Sequence, residues 1–179
     1  MKKGKTWALL LAAGLFAAGL SGNAYAKARI ILPAPDMVHA DDKTVNELEA
    51  VYDGLEDALA KKDINKIMSF YADDYNHQSA TRSQLKFLWE NEFGKFDKLY
   101  SVHAFTEINV VDNEAAIVCT GSLFGLPKGG KDFVVVDSWV EQPHYLTKKD
   151  GTWKIVGGAT HWKREPVKGG YRLEFHPFF

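Results

Sequence analysis

The sequence predicts an α+β domain in which three N-terminal helices pack on one face of a strongly curved antiparallel sheet that forms a cone. Two patterns carry this prediction. Between residues 44 and 93, apolar side chains recur at intervals of three and four, which is the helical period. From residue 99 onward, long runs rich in β-branched and aromatic residues are separated by turn signals. Helices followed by a strand meander are typical of the α+β class, and such long strands have to curve.

Three helices account for the first half of the domain. An apolar face begins after Thr44, and Glu47 three residues later completes a predicted capping box. Asp63 is predicted to cap a short second helix over residues 64–71, and a third helix begins near Ser79 or Thr81. The apolar faces of the first and third helices consist of Val45, Leu48, Val51, Tyr52, Leu55 and Leu59, and of Leu85, Leu88, Trp89 and Phe93.

In the second half of the domain, strands are predicted over residues 99–111, 115–126, 132–147, 152–163 and 171–175. Asp150-Gly151 between two of these runs is a strong hairpin signal. Pro143 inside the third run predicts a bulge or a bend, because proline cannot donate a hydrogen bond to the sheet. A sheet curved around helices leaves an open end, which is a natural place for a small-molecule pocket.

Residues 1–26 are predicted to be a secretory signal peptide. Lysines precede an uncharged apolar run over residues 7–20, and Ala24 and Ala26 fit a signal-peptidase site. The run is shorter than the roughly 20 residues that span a bilayer. Cleavage after Ala26 would place the mature chain in the periplasm or outside the cell. Residues 27–42 are then an extended lead-in, and residues 43–179 form a single domain with an extra C-terminal strand from about residue 170.

Composition narrows the possible partners. The 22 Lys and Arg residues balance 23 Asp and Glu residues and are scattered, so no surface for nucleic acid is predicted. The mature chain is not expected to be embedded in a membrane, and no cofactor is predicted. The single cysteine, Cys119, cannot close an internal disulfide, and its apolar neighbours predict buried packing rather than a nucleophile.

Two motifs resemble the nuclear transport factor 2-like superfamily. FYADDY at residues 70–75 follows a helix ending in Lys-Lys-Asp, and KKDGTWKIVGG occupies residues 148–158. Their order and spacing over residues 43–163 are similar to the SnoaL-like and ketosteroid-isomerase-like branch. The resemblance implies a cystatin-like cone with a mostly apolar cavity, and often a homodimer through the open sheet face. Members include isomerases, dehydratases, hydrolases and pure binding domains, so the fold alone names no reaction.

The resemblance argues against one activity. Ketosteroid isomerases hold a general-base aspartate five residues after the ADD motif, where this chain has Ser79. Their oxyanion-hole tyrosine on the first helix corresponds to Leu55. A serine with no base beside it cannot abstract a proton from carbon, and leucine cannot donate a hydrogen bond to an enolate.

Tyr75, His77 and Ser79 alternate along the chain, so they share one face of a strand. The resemblance turns that face into the cone. We expect His77 to act as a general base or to hydrogen-bond a ligand, because its unperturbed pKa of about 6.5 lies near neutral pH. Tyr75 and Ser79 are expected to contact the ligand. The alternative is a core histidine satisfied by a neighbour.

Asp137 lies among β-branched residues, where an unpaired carboxylate is costly to bury. We expect it to face the pocket and to pair with His77 or His161. Trp139 has the same parity and would form an aromatic wall. The alternative is a solvated carboxylate at a sheet edge.

The last core strand places Gly157, Ala159 and His161 on the inward face. The two small residues leave room for a pocket or for close packing, and His161 is expected to contact the ligand. His144 is a weaker candidate, because its parity depends on the bulge. The six histidines have no metal-binding spacing, so no metal site is predicted.

The sequence favours an exported domain whose apolar conical pocket binds a small hydrophobic molecule. Two alternatives stay open: an acid–base enzyme of isomerase, dehydratase or hydrolase type that uses His77 and Asp137, and a dimeric protein-interaction module. A buried, bonded acid–base pair would favour the enzyme. A cone filled by its own aromatic side chains would favour the module.

Overall fold

The architecture comes from a computed structural model that describes residues 30–77 and 80–158. Several predicted features lie outside these residues: the signal peptide, the strand over residues 171–175, and the site candidates Ser79, Ala159 and His161. The described elements are β1 (Ile30–Ile31), a 3-10 turn (Pro35–Met37), β2 (Val38–His39), α1 (Asp42–Ala60), α2 (Ile64–Met68), β3 (Tyr71–His77), β4 (Ala80–Thr81), α3 (Arg82–Lys95), β5 (Phe96–Val111), β6 (Glu114–Pro127), β7 (Val134–Lys149) and β8 (Thr152–Gly157).

The strands of the described residues form one sheet in the order β1-β5-β6-β7-β8-β3-β4, with β2 also on β5. The three long strands β5, β6 and β7 and the shorter β8 form the antiparallel meander that the sequence predicts, and the α+β cone is confirmed. The sheet is mixed rather than purely antiparallel. The strand after α2, β3, returns parallel to β8, and β1 and β2 lie parallel to β5. Parallel strands need a long connection between them. The chain between β3 and β8 provides one, because it passes through the whole meander.

Capping residues place the helices. Asp41 accepts a hydrogen bond from the Thr44 amide at 2.8 Å, so the first cap is Asp41 and not Thr44 as predicted. Asp63 caps α2 by accepting from the Lys66 amide, as predicted. Thr81 begins α3 with a capping box. The predicted apolar face of α1 is buried against the sheet, which sets this helix in the concave side of the cone.

Bulges bend the long strands around α1. Between β6 and β7 the register shifts between Cys119 and Gly121. Glu141 takes up the shift on β7 with a left-handed φ of 51°, and its amide donates to the Thr120 hydroxyl at 3.0 Å. Pro143 pairs with β6 two residues further along, so the irregularity lies close to the residue that predicts it.

One hairpin turn and one close contact fix β8. Asp150 and Gly151 have φ of 51° and 75°, as a type I′ hairpin requires. At the other end of the strand Gly157 has φ of 88°, and a Cβ there would lie 2.4 Å from the carbonyl oxygen of Asn76 on β3. A glycine is therefore required at position 157 because the backbones of β8 and β3 approach closely there. It is not explained by a need for ligand space.

Among residues 30–77 and 80–158, no helix combines the length and the hydropathy needed to cross a bilayer.

Because two backbones approach closely at Gly157, a side chain added there is predicted to destabilise the protein strongly. We expect Gly157→Ala to lower the free energy of unfolding by about 3 kcal/mol, because it adds a clash to a strained φ. Urea denaturation measures this change. The matched control is Gly94→Ala in α3, where a Cβ meets nothing within 4 Å, and it should stabilise the protein by about 0.5 kcal/mol. Equal midpoints for the two variants would contradict the assignment.

Candidate functional site

A group of polar and aromatic side chains is buried inside the cone, between α1 and the sheet. We call it the interior cluster: Tyr52, Glu56, Ser101, His103, Cys119, Trp139 and His144. None of its members is more than 5% exposed. The helical period sets Tyr52 and Glu56 on the inward face of α1, and the period of two sets Ser101 and His103 on the inward face of β5. The other three members come from β6 and β7.

The carboxylate of Glu56 organises the cluster. It accepts a hydrogen bond from the Ser101 amide at 3.0 Å and another from the Ser101 hydroxyl. His103 Nε2 lies 2.9 Å from Ser101 Oγ and 3.4 Å from Glu56 Oε1. A carboxylate in an apolar interior is tolerated only with such partners, because burial otherwise costs several kcal/mol. These bonds also attach α1 to β5.

The same bonds set the tautomer of His103. Because the Ser101 hydroxyl donates to Glu56, its oxygen accepts from His103 Nε2–H. The other ring nitrogen, Nδ1, lies 3.5 Å from the Cys119 sulfur. Trp139 Nε1 donates to the same sulfur at 3.3 Å. Close polar contacts therefore connect Trp139, Cys119, His103, Ser101 and Glu56, and the Cys119 thiol also lies within donor reach of the Thr120 carbonyl oxygen at 3.6 Å.

Cys119 remains a neutral thiol in this setting. Burial raises the pKa of the thiol to about 12, and the smaller effect of the hydrogen bond from Trp139 lowers it. The thiolate is the nucleophilic form, so this cysteine is not activated at neutral pH. The predicted role of Cys119 as buried packing is confirmed.

Aromatic rings fill the space around these polar groups. The Tyr52 ring packs edge-on to Phe105 and His103, with centroids 4.9 Å and 5.3 Å away. Its hydroxyl lies 3.2 Å from His144 Nδ1. Burial raises the pKa of Tyr52 far above its usual range, with smaller effects from Cys119 and Tyr71, so the phenol stays protonated. The middle of the cone is thus occupied by the protein's own side chains.

Tyr75 on β3 carries a buried hydroxyl at the border of this interior. The residue is 3% exposed, and its ring packs edge-on to Tyr71 with centroids 5.3 Å apart. Its hydroxyl is buried and has no hydrogen-bond partner in the structure. Burial raises the pKa of Tyr75, so the group is a neutral phenol. Burial raises the pKa of the neighbouring Tyr71, Tyr75 and Glu56 raise it further, and a hydrogen bond with Trp89 lowers it.

The described part of the chain separates the two residues predicted to form a couple. Asp137 is partly buried and pairs with Leu123 of the core, on the same face as Trp139. Its carboxylate accepts from the Ser138 amide at 2.8 Å. His77 is partly buried at the end of β3, where it pairs with Ala80.

The sheet register gives the distance between the two positions. Asn76, beside His77, pairs with Gly157, and Gly157 pairs with Tyr145 of β7. Asp137 lies eight residues from Tyr145 along β7, which is roughly 25 Å of strand. The register thus lends no support to a couple of His77 and Asp137. The acid–base pair that the structure brings together is Glu56 with His103.

Sequence reasoning missed Glu56, Ser101 and His103, although signals for all three exist. Glu56 interrupts the apolar face of α1, four residues after Tyr52. Ser101 and His103 share parity with the buried Leu99 on β5. Parity along a strand and a charge on an apolar face could have identified each residue as inward. Neither signal could show that the two elements meet.

No group of three His, Cys, Asp or Glu side chains in residues 30–77 and 80–158 is arranged to hold a metal ion.

The sequence matches no protein-family model and no curated protein. Solved structures are similar in fold. A conserved protein from Planctomyces limnophilus is 14% identical with a TM-score of 0.57, over 65% of this chain and 94% of its own. A protein of unknown function with a cystatin-like fold from Nostoc punctiforme is 13% identical with a TM-score of 0.51, over 66% and 90%. A proposed dehydratase of the nuclear transport factor 2-like family from Streptomyces avermitilis is 14% identical with a TM-score of 0.51, over 65% and 93%.

These similarities show that the chain has the nuclear transport factor 2-like, or cystatin-like, fold. The fold predicted from the two motifs is therefore confirmed. The similar proteins range from one of unknown function to a proposed dehydratase, so the fold does not select an activity.

The interior cluster predicts that Glu56 is needed for stability. We expect Glu56→Ala to lower the free energy of unfolding by about 3 kcal/mol, because it leaves the Ser101 and His103 donors buried without an acceptor. The neighbouring Asp57 is exposed on the same helix, so Asp57→Ala should change it by less than about 0.5 kcal/mol. Urea denaturation of both variants tests this difference, and similar losses would show that helix charge rather than the buried network is responsible.

Proposed function

We propose that this protein binds a small, largely apolar molecule carrying one hydrogen-bonding group, within the cone and beside Tyr75. The observation that carries the proposal is the buried Tyr75 hydroxyl with no partner. A buried polar group without a hydrogen-bond partner costs about 1–3 kcal/mol, so native proteins contain few of them. A ligand that supplies the missing hydrogen bond offsets this cost. One structure of similar fold is a proposed dehydratase, and a pocket is compatible with that fold.

The surroundings of Tyr75 indicate the chemistry of the ligand. Tyr71 and Trp89 are both fully buried nearby, and together they form an aromatic wall on this side of the cone. Apolar walls with one polar group are the usual composition of a small-molecule site. The hydroxyl of Tyr75 both donates and accepts, so it suits an alcohol, a phenol or a carbonyl group.

Removing the Tyr75 hydroxyl tests the proposal. The probes are 2-naphthol and naphthalene, which differ by one hydroxyl group, and binding is measured by ligand fluorescence. The native protein should prefer 2-naphthol by about tenfold, and Tyr75→Phe should lose most of this preference. The variant should keep its stability, because the hydroxyl makes no hydrogen bond to residues 30–77 or 80–158.

Tyr100→Phe is the matched control for this experiment. Tyr100 lies on β5 and stacks on Phe124 with centroids 5.0 Å apart, away from the buried core. Its variant should keep the native preference for 2-naphthol. No preference in the native protein, or its survival in Tyr75→Phe, would refute the assignment of Tyr75.

An acid–base enzyme is a second proposal, and the pair of Glu56 and His103 favours it. A carboxylate and a hydroxyl beside one imidazole nitrogen can orient the ring for general-base chemistry at the other nitrogen, which here lies 3.5 Å from the Cys119 sulfur. His103 is fully buried, so a substrate would have to displace Trp139, whose ring centroid lies 5.3 Å away. A turnover that disappears in His103→Gln would support this activity. The couple of His77 and Asp137 stays a prediction.

We also propose that the chain is exported and that residues 1–26 are removed, on the strength of the signal-peptide pattern. The intact mass of the protein recovered from the periplasm or medium should correspond to a chain that begins at Lys27. A full-length mass in that fraction would contradict cleavage after Ala26.

Dimerisation through the sheet face remains a prediction, which light scattering of the purified protein would measure. The aromatic filling of the cone by Tyr52, Phe105 and Trp139 favours such an interaction role.

A further inference from the structure

A cleft lies on the outside of the domain, where α1, the end of α2 and the β7–β8 hairpin meet. It encloses about 310 Å³, which is at the lower end of the range for small-molecule sites. No member of the interior cluster lines it. The residues that matter for its chemistry are Val51, Lys66, Ser69, Phe70, Trp153 and Lys154.

Two ammonium groups line the cleft. Lys154 donates a hydrogen bond to the Ser69 carbonyl oxygen, and the Lys66 ammonium lies 5.0 Å from the centroid of the Phe70 ring. Neither lysine forms an ion pair with a carboxylate of residues 30–77 or 80–158. An ammonium group has three donors, so both lysines retain donors for an anion.

The one carboxylate of the lining is already engaged. Glu47 accepts from the Lys148 ammonium at 2.5 Å and from Trp153 Nε1 at 3.1 Å, and Lys43 lies 3.7 Å away. These hydrogen bonds, that from Lys148 first, lower the pKa of Glu47 and keep it ionised. Glu47 is therefore neutralised by its own partners and does not compete for Lys66 and Lys154.

The apolar walls of the cleft are held in place before any ligand binds. The Phe70 ring rests on the backbone of α1, where a Cβ at Gly54 would lie 2.7 Å from its Cζ. Trp153 is 3% exposed and is fixed by its hydrogen bond to Glu47. Val51 is buried between them on α1. Walls fixed in advance reduce the entropy lost on binding.

We propose that this cleft binds a small carboxylate with an aromatic body, the carboxylate on Lys66 and Lys154 and the ring against Phe70 and Val51. The ligand class follows from two unneutralised ammonium groups beside a rigid apolar wall. This site is separate from the interior of the cone and does not depend on the ligand proposed there.

Titration with benzoate, followed by amide NMR, tests the proposal. Saturable shifts should appear at Gly151, Thr152 and the Trp153 indole N–H. The double variant Lys66→Gln/Lys154→Gln should weaken benzoate binding by at least about fivefold, since it removes both positive charges of the cleft. Lys128→Gln, in the turn between β6 and β7, removes one charge away from the cleft and should leave binding unchanged.

Two further probes separate charge from apolar contact. Benzyl alcohol has the ring without the charge, and inorganic phosphate has charge without the ring, so both should bind more weakly than benzoate. Equal binding of either probe would overturn the proposal, as would the absence of saturable shifts or an unchanged affinity in the double variant. Tyr75→Phe should leave benzoate binding intact, which distinguishes this site from the interior one.

Discussion

The buried carboxylate of Glu56 is the interaction on which the arrangement of the domain depends. It joins the only long helix of the concave side to β5 through Ser101 and His103 in the described part of the chain. An apolar helix face could slide along an apolar sheet at little cost, whereas a buried charge has to meet its donors. Glu56 therefore fixes the register of α1, and with it the tautomer of His103 and the hydrogen bond to Cys119.

The shape of the cone follows from a few local departures from regular strands. The bulge at Glu141 bends β7, and the left-handed φ of Gly157 lets β8 approach β3 closely. Bulges and glycines provide curvature because they relax the flat ladder at one position while the rest of the pairing continues. The curved sheet then surrounds α1 on its apolar side, so that interior residues from three strands reach one helix.

The two proposed sites use different physical means. Inside the cone, polar groups are fully desolvated. A ligand that supplies the hydrogen bond missing at Tyr75 would therefore gain enough binding free energy to be selected over one that does not. On the outer surface, the ammonium groups of Lys66 and Lys154 are partly solvated, so each contributes less and the rigid ring of Phe70 has to add apolar contact. Selectivity would thus come from desolvation in one site and from combined charge and shape in the other.

The sequence by itself determined the fold class, the helix cap at Asp63, the long strands and the hairpin at Asp150-Gly151, because these depend on contacts between near neighbours in the chain. Strand alternation grouped Tyr75 with His77 and Trp139 with Asp137 on shared faces. The family resemblance turned the face of Tyr75 inward, and Trp139 was expected inward together with Asp137; Tyr75 and Trp139 are both buried. Only the tertiary structure decided which inward residues meet. Glu56 and His103 lie 47 positions apart, and local periodicity gives the face of each but not the register between a helix and a sheet. That register depends on the summed packing and hydrogen bonding of the whole interior.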